Sequence, residues 1–187
     1  MNAWLIVCLL AAAAILMIIE LRGINVVLKL NFKGDIKRES QWLAQFGQAV
    51  ATAVAAALIY AFEPGDWKKP VAVCATVLAS SVTVYIIKRL TGRVRPNREN
   101  AGKFLGPSLK HANWRESFPS SHSACAIALS VSLSVLYPQA IVVFWSLGII
   151  TSVLRYLMDA HWPSDVLAGI AWGYLVGHVG MKLWGYV

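Results

Sequence analysis

The sequence predicts an all-α integral membrane bundle of six transmembrane helices, built as one domain over residues 1–187. Three observations predict it. Apolar residues make up 58% of the chain and charged ones only 14%, where a soluble domain carries roughly 25% charged residues. The apolar residues gather into six long runs. The basic residues behind the formal charge of +8 fall in blocks between those runs, so they do not form the continuous basic face of a nucleic-acid binder. No nucleic-acid partner is expected, and a phosphate-bearing partner at a bilayer fits the charge better.

A helix needs about 20 mostly apolar residues to cross a bilayer. The runs that qualify are Ala3–Leu21, Trp42–Phe62, Pro70–Ile87, Ser123–Tyr137, Gln139–Met158 and Val166–Val187. Each is read as a helix, because hydrocarbon offers backbone groups no partner outside the segment in an unclosed structure. The first run has no basic segment ahead of it and no small-residue cleavage site after it, and is read as a retained span. Residues 22–41 follow. There Ile24, Val26, Val27, Leu28, Leu30 and Phe32, set among Arg22, Lys29 and Lys33, suit an interfacial helix and a plain linker equally. Glu63–Lys69 is a short connection, whereas residues 88–122 form a long polar loop of the kind that carries function. Pro138 divides the fourth run from the fifth and marks a tight reversal. Cys8, Cys74 and Cys125 lie inside apolar runs without metal-ligand spacing, and are expected as buried small hydrophobes, not as disulfide or zinc ligands. Tryptophans such as Trp42, Trp67, Trp114 and Trp162 include expected interface anchors.

Counting crossings brings residues 22–41, the long loop and the Asp159–Asp165 connection to one face. Three polar clusters meet there: "KRLTGRVRP" with Lys88 and Arg95, "PSSHS" with Ser120, Ser121 and His122, and "RYLMDAHWPSD" with Arg155, His161 and Asp165. Lys88, Arg95 and Arg155 supply fixed positive charge, and the guanidinium forks suit phosphate oxygens. The two histidines and the carboxylate supply proton chemistry. Singly, each has a plainer reading. Lys88, Arg89 and Arg93 suit snorkelling cations at a helix end, His122 a capping or packing residue, and Asp165 a first-turn acid. It is their meeting on one face that points to chemistry.

The arrangement resembles the type-2 phosphatidic acid phosphatase superfamily, whose signature runs KxxxxxxRP, PSGH and SRxxxxxHxxxD. Lys88, Arg95 and Pro96 match the first part, Pro119, Ser120 and His122 the second, and Arg155, His161 and Asp165 the third. Ser121 stands where the family usually has glycine, and Leu154 where it has serine. The likeness extends from roughly Tyr85 to Gly173. It implies that His161 attacks phosphorus to form a phosphohistidine, oriented by Asp165. His122 then protonates the leaving oxygen and later activates water. Lys88, Arg95, Arg155, Ser120 and Ser121, with backbone N–H groups at the fourth run's start, would cradle the phosphoryl oxygens. No cofactor is implied. No cluster offers the carboxylates that a magnesium enzyme needs, so no metal is expected.

Together these readings describe a membrane lipid phosphatase that hydrolyses a phosphomonoester or pyrophosphate on a lipid headgroup. Phosphatidic acid, phosphatidylglycerol phosphate, polyprenyl diphosphate and a lipid A phosphate all fit. The alternatives are a lipid phosphotransferase using the same intermediate and a non-catalytic binder of anionic lipid. His111 is read as solvated or substrate-adjacent, His178 as a satisfied interior group, and Asp159 as a weaker competitor of Asp165 for His161. The resemblance implies a site on the extracytoplasmic face of a multi-pass protein, such as one of a bacterial inner membrane. Against this, 14 of the 17 lysines and arginines fall on the site's side, which by the positive-inside rule is cytoplasmic.

Overall fold

The computed structural model describes residues 1–24, 26, 28, 30, 33–158 and 161–187. Its helices are α1 (Ala3–Leu21), α2 (Gly34–Leu43), α3 (Ala49–Phe62), α4 (Lys68–Thr91), α5 (Ser121–Leu136), α6 (Ile141–Leu157) and α7 (Pro163–Leu183). Short 3-10 turns at Ala44–Gly47, Asn113–Arg115 and Pro138–Ala140 join or precede them. Among the described residues there is no strand, only an isolated antiparallel bridge between Arg93 and Phe104.

Helices α1, α4 and α7, and α6 together with its Pro138 turn, are long and apolar enough to cross a membrane. The outer surface carries apolar side chains such as Trp4, Leu58, Phe62, Leu78 and Val142, as a hydrocarbon-facing bundle requires. The chain is therefore an integral membrane protein.

Two of the expected spans differ. The second, Trp42–Phe62, is not one helix: the segment Gly34–Gly47 and α3 meet at a 65° bend. Gln48 at the break is extended (φ −108°, ψ 162°). Asp35, Lys37, Arg38 and Glu39 make α2 polar, so it cannot continue the apolar α3 into hydrocarbon. At the bend, a side chain on Gly47 would overlap the backbone carbonyl of His122. The fourth span, α5, has only 16 residues, short of the roughly 20 that cross a bilayer unaided. Among the described residues of the stretch 22–41, the helical part beyond α1 is α2. Val27, Lys29 and Phe32 of the expected interfacial helix lie outside the described residues, as does Asp159.

Helix α5 is the centre of the bundle, packed against α4, α6 and α7 and buried continuously from Ser123 to Leu133. Its small residues admit close neighbours. Gly169, Gly173 and Gly177, four apart on α7, face Ser120, Ala124 and Val131 of α5, where an added Cβ would overlap. This small-residue ridge lets two helices approach almost backbone to backbone. Ile59, Val73, Val77, Leu129 and Leu133 fill the opposite side between α3, α4 and α5. Of the cysteines only Cys125 is buried; Cys8 and Cys74 are exposed, on an outer surface where lipid takes the place of a protein core.

Candidate active site

The site forms where α4 ends and α5 and α7 begin. Gly92 caps α4 in the left-handed conformation (φ 61°), which costs glycine no Cβ clash, and turns the chain into the 93–120 loop. Backbone bonds hold that loop: Ser117 N–H donates to Arg93 O (3.0 Å) and Arg95 N–H to Trp114 O (2.9 Å). Buried Lys88 donates from Nζ to the carbonyl of Glu116 at 2.5 Å. The Glu116 carboxylate receives Arg89 (3.0 Å), the N–H of Ala112 (3.0 Å) and His111. Burial by itself would raise the Glu116 carboxyl, but these donors outweigh it and hold its pKa below the ordinary range.

A fully buried cluster lies beneath. Arg93 donates from Nη1 to Asp165 Oδ1 (2.5 Å) and Ser164 Oγ (2.7 Å), and from Nη2 to Glu20 Oε2 (2.6 Å). Its guanidinium lies 5.3 Å from the ring of Phe104 and 5.5 Å from that of Trp162, within cation–π range. The second oxygen of Asp165 accepts from Ser117 Oγ (2.5 Å) and from the Trp162 N–H (3.0 Å), which also caps α7. Oδ2 of Asp165 lies 3.7 Å from Nδ1 of His161. That exceeds hydrogen-bonding distance, so the carboxylate acts on the imidazole as a neighbouring charge. His161 is 1% exposed. Burial, chiefly, drives its pKa down to about 3, with Lys88 and Arg95 acting the same way and Asp165 opposing them. The imidazole is thus neutral over the physiological range, a state in which a ring nitrogen keeps its lone pair.

His122, in the first turn of α5, feels Arg155, Lys88 and Arg95, and Lys88 in turn feels Arg95, Arg155 and Asp165. Three cations, two imidazoles and one carboxylate therefore share one electrostatic neighbourhood. The buried Nε of Arg155 has no hydrogen-bond partner, which in a close-packed protein marks a place for a ligand's acceptor, whereas Nδ1 of His161, also without one, faces Asp165. Ser120 is differently employed. It is the N-cap of α5, its Oγ accepting from Ser123 Oγ (2.9 Å), while its own N–H donates to the Asp165 carbonyl (3.0 Å). Ser121 is the first residue of α5, and the described non-glycine residues with positive φ are Asn97 and Asn100 only. Nothing in its backbone requires glycine. Leu154 is buried.

Several residues that build the site escaped the motif reading. Arg93 clamps Asp165, and Glu20 in turn holds Arg93 from its other nitrogen. A signal existed for Glu20, the one charged residue inside the first span, since an ionisable group at that depth is functional by default. Gln48 had none: its Nε2 lies 2.6 Å from Nε2 of His122. Beside this pair a groove of about 440 Å³ opens between α3, α4 and α5. Its lining is polar at Gln48, Ser121 and His122, and apolar at Val77, Leu78 and Cys125. His111 is largely exposed beside Glu116, and His178 Nδ1 lies 3.0 Å from the Tyr174 carbonyl. Among the described residues no three His, Cys, Asp or Glu side chains are grouped to hold a metal ion.

The chain is similar to known proteins. Over 100 residues, 52% of the chain, it is 38% identical to a lipid A 1-phosphatase of Rhizobium etli, covering 43% of that protein. The lipid A 1-phosphatase of Rhizobium johnstonii is 37% identical over the same length, 41% of its own. The chain thus spans less than half the length of these relatives. The crystal structure of a transmembrane PAP2-type phosphatidylglycerolphosphate phosphatase from Bacillus subtilis superposes with a TM-score of 0.56, at 16% identity, covering 97% of this chain and 87% of that one. At that identity it speaks for the fold alone. The model of the PAP2 superfamily matches residues 69–187, the stretch from the start of α4 through α7 that holds all three polar clusters, and the chain accordingly belongs to the PAP2 superfamily.

Proposed function

We propose that the protein is a metal-independent lipid phosphatase that works through a phosphohistidine. The observation that carries the reading is the buried, neutral His161, with Nδ1 turned to the Asp165 carboxylate at 3.7 Å and the ring in the field of the cations Lys88 and Arg95. In the first step Nε2 of His161 forms a bond to phosphorus as the P–O bond to the lipid breaks. Lys88, Arg95 and Arg155 receive the phosphoryl charge, and protonated His122 gives its proton to the leaving oxygen. In the second, His122 takes a proton from water, hydroxide attacks phosphorus, the P–N bond breaks and inorganic phosphate leaves. Asp165, fixed by Arg93 and Ser117, steadies the imidazolium character that develops on His161. The three cations do the electrostatic work that a divalent ion does elsewhere.

The groove beside His122 favours a lipid over a soluble ester, because its polar lining continues into apolar residues. Its presence also weighs against a binder of headgroups alone. We take the crossings as six, with α3 as a short second span and α5 as a short fourth sheltered at the centre, which puts the loop ends on one side. We assign that side to the extracytoplasmic face. Lys88, Arg89, Arg93 and Arg95 are engaged with Glu116, Asp165 and Asn113, so their excess there serves the site and is a poor topogenic count.

Purified protein in detergent, given a panel of lipid phosphates in EDTA, is expected to release inorganic phosphate, and His161→Ala to release none. His122→Ala, given an aryl phosphate whose leaving group needs little protonation, is expected to accumulate an acid-labile, base-stable phosphoryl label that His122→Ala/His161→Ala lacks. A label on serine, or transfer to an added lipid alcohol in preference to water, would replace this mechanism with a different one.

A further inference from the structure

Next to the phosphate-facing cations lies a second concavity that the phosphoryl chemistry leaves unused. It is an open cleft of about 560 Å³ lined by Arg95, Arg98, Glu99, Asn100, Asn113 and Trp114. Its floor is built. The N–H of Val94 donates to Lys103 O (2.9 Å), and that of Gly102 to Val94 O (3.1 Å), closing the 94–103 turn. Asn97 and Asn100 take left-handed conformations (φ 56° and 60°) that asparagine tolerates better than most side chains. Across the cleft Asn113 holds Arg95 through its carbonyl (2.7 Å) and Oδ1 (2.9 Å). Trp114 leaves 44% of its surface exposed on this polar loop.

We infer that this cleft is a saccharide-binding subsite for the headgroup of a phosphorylated glycolipid. The inference rests on the phosphatase reading and specifies its substrate. The chemistry of the lining is what recognises a sugar: an indole face for the apolar C–H side of a pyranose, and a carboxylate with two carboxamides for hydroxyl and amino groups. Asn100 Oδ1 already accepts from Lys103 Nζ (2.9 Å), so its amide acts toward a ligand as a donor. Arg95 ties the cleft to the reaction. It lines this cleft and also acts on His161 and Lys88. A sugar esterified to a phosphate bound by Arg95 therefore falls within the cleft that Trp114 also lines. A glycerol headgroup presents no flat apolar face and would leave the indole uncovered.

The test compares a diacylated glucosamine 1-phosphate with phosphatidic acid of matched chains in detergent. The parent is expected to prefer the saccharide lipid. Trp114→Ala, which keeps the carbonyl that receives Arg95, should lower that preference roughly ten-fold, mostly through KM, as removal of a central aromatic contact does. Trp114→Phe should restore most of it. A preference for phosphatidic acid, or equal losses on both lipids, would overturn the subsite while leaving the phosphatase reading intact. Phosphate release from neither lipid would overturn the phosphatase reading instead. The subsite is then judged by titrating His161→Ala protein with glucosamine 1-phosphate and glycerol 3-phosphate, following tryptophan fluorescence. Tighter binding of the sugar phosphate, lost in Trp114→Ala, upholds it; equal binding sinks it.

Discussion

Two ion clusters stand at opposite ends of the bundle and are made from similar residues. At the site end, Arg93 joins Glu20 and Asp165 with all three side chains at 0% exposure. At the far end, Lys69 pairs with Glu63 and Asp66, and Tyr137 Oη donates to Glu63 (2.6 Å), but Lys69 and Glu63 are 25% and 31% exposed. The difference lies in what removing one partner leaves behind. An exposed charge that loses its partner is resolvated, whereas a buried one is stranded. The far cluster therefore fastens the α3–α4 connection to the α5–α6 reversal as a replaceable clip. The near cluster determines where the carboxylate of Asp165 points.

The largest expected effect breaks the contrast directly. Arg93→Met strands two buried carboxylates and should cost about 3–5 kcal/mol, with activity lost, whereas Lys69→Met should leave the melting temperature in detergent within error of the parent. Arg93→Lys, which keeps the charge but not the fork, should fall between them. Equal melting temperatures for Arg93→Met and Lys69→Met would erase the distinction.

A middle-sized effect sharpens it at the neighbouring imidazole. Gln48→Leu removes the neutral partner of His122 and should lower kcat roughly ten-fold with little change in melting temperature. Gln48→Glu places a carboxylate there instead and should move the alkaline limb of the pH–rate profile upward, since a nearby negative charge favours the protonated ring. A structural role alone would leave that profile where it was.

The smallest effect is a titration. Unfolded His161 takes up a proton near 6.5, but in the fold its pKa is held down to about 3. The neutral form is the folded form's, so this residue's contribution to stability is present above pH 6.5 and is lost as pH falls toward 3. Nitrogen NMR of labelled protein should show a neutral His161 at pH 5. A protonated ring there would mean that the Asp165 charge outweighs burial.

How much of this was legible in the sequence follows from range. Lys88 with Arg95, and His161 with Asp165, sit at fixed spacings across a helix end, so local geometry carries them from sequence to space. The four-residue rhythm of Gly169, Gly173 and Gly177 was equally open to reading and explains why α5 can be both short and central. Arg93 stood in plain view within "KRLTGRVRP", yet snorkelling was as good an account until Glu20, 73 residues away, was brought against it. The bend at Gln48 was not legible at all. It depends on the carbonyl of His122 pressing against Gly47, a contact between segments that no local pattern connects. Hydropathy, which sums composition along a line, read the same residues as one straight span.

The place of Glu20 has a consequence for how the protein is made. It ends α1, and its partners are made after it: Arg93, 73 residues on, and Ser164, 144 residues on at the start of α7, which donates to it from both N–H (3.1 Å) and Oγ (2.5 Å). Until Arg93 emerges, a carboxylate waits at the edge of the hydrocarbon without its cation. Insertion of α7 then adds the two donors of Ser164, and a nascent chain halted before residue 93 would expose an unmet acidic group to whatever machinery surveys unfinished membrane proteins.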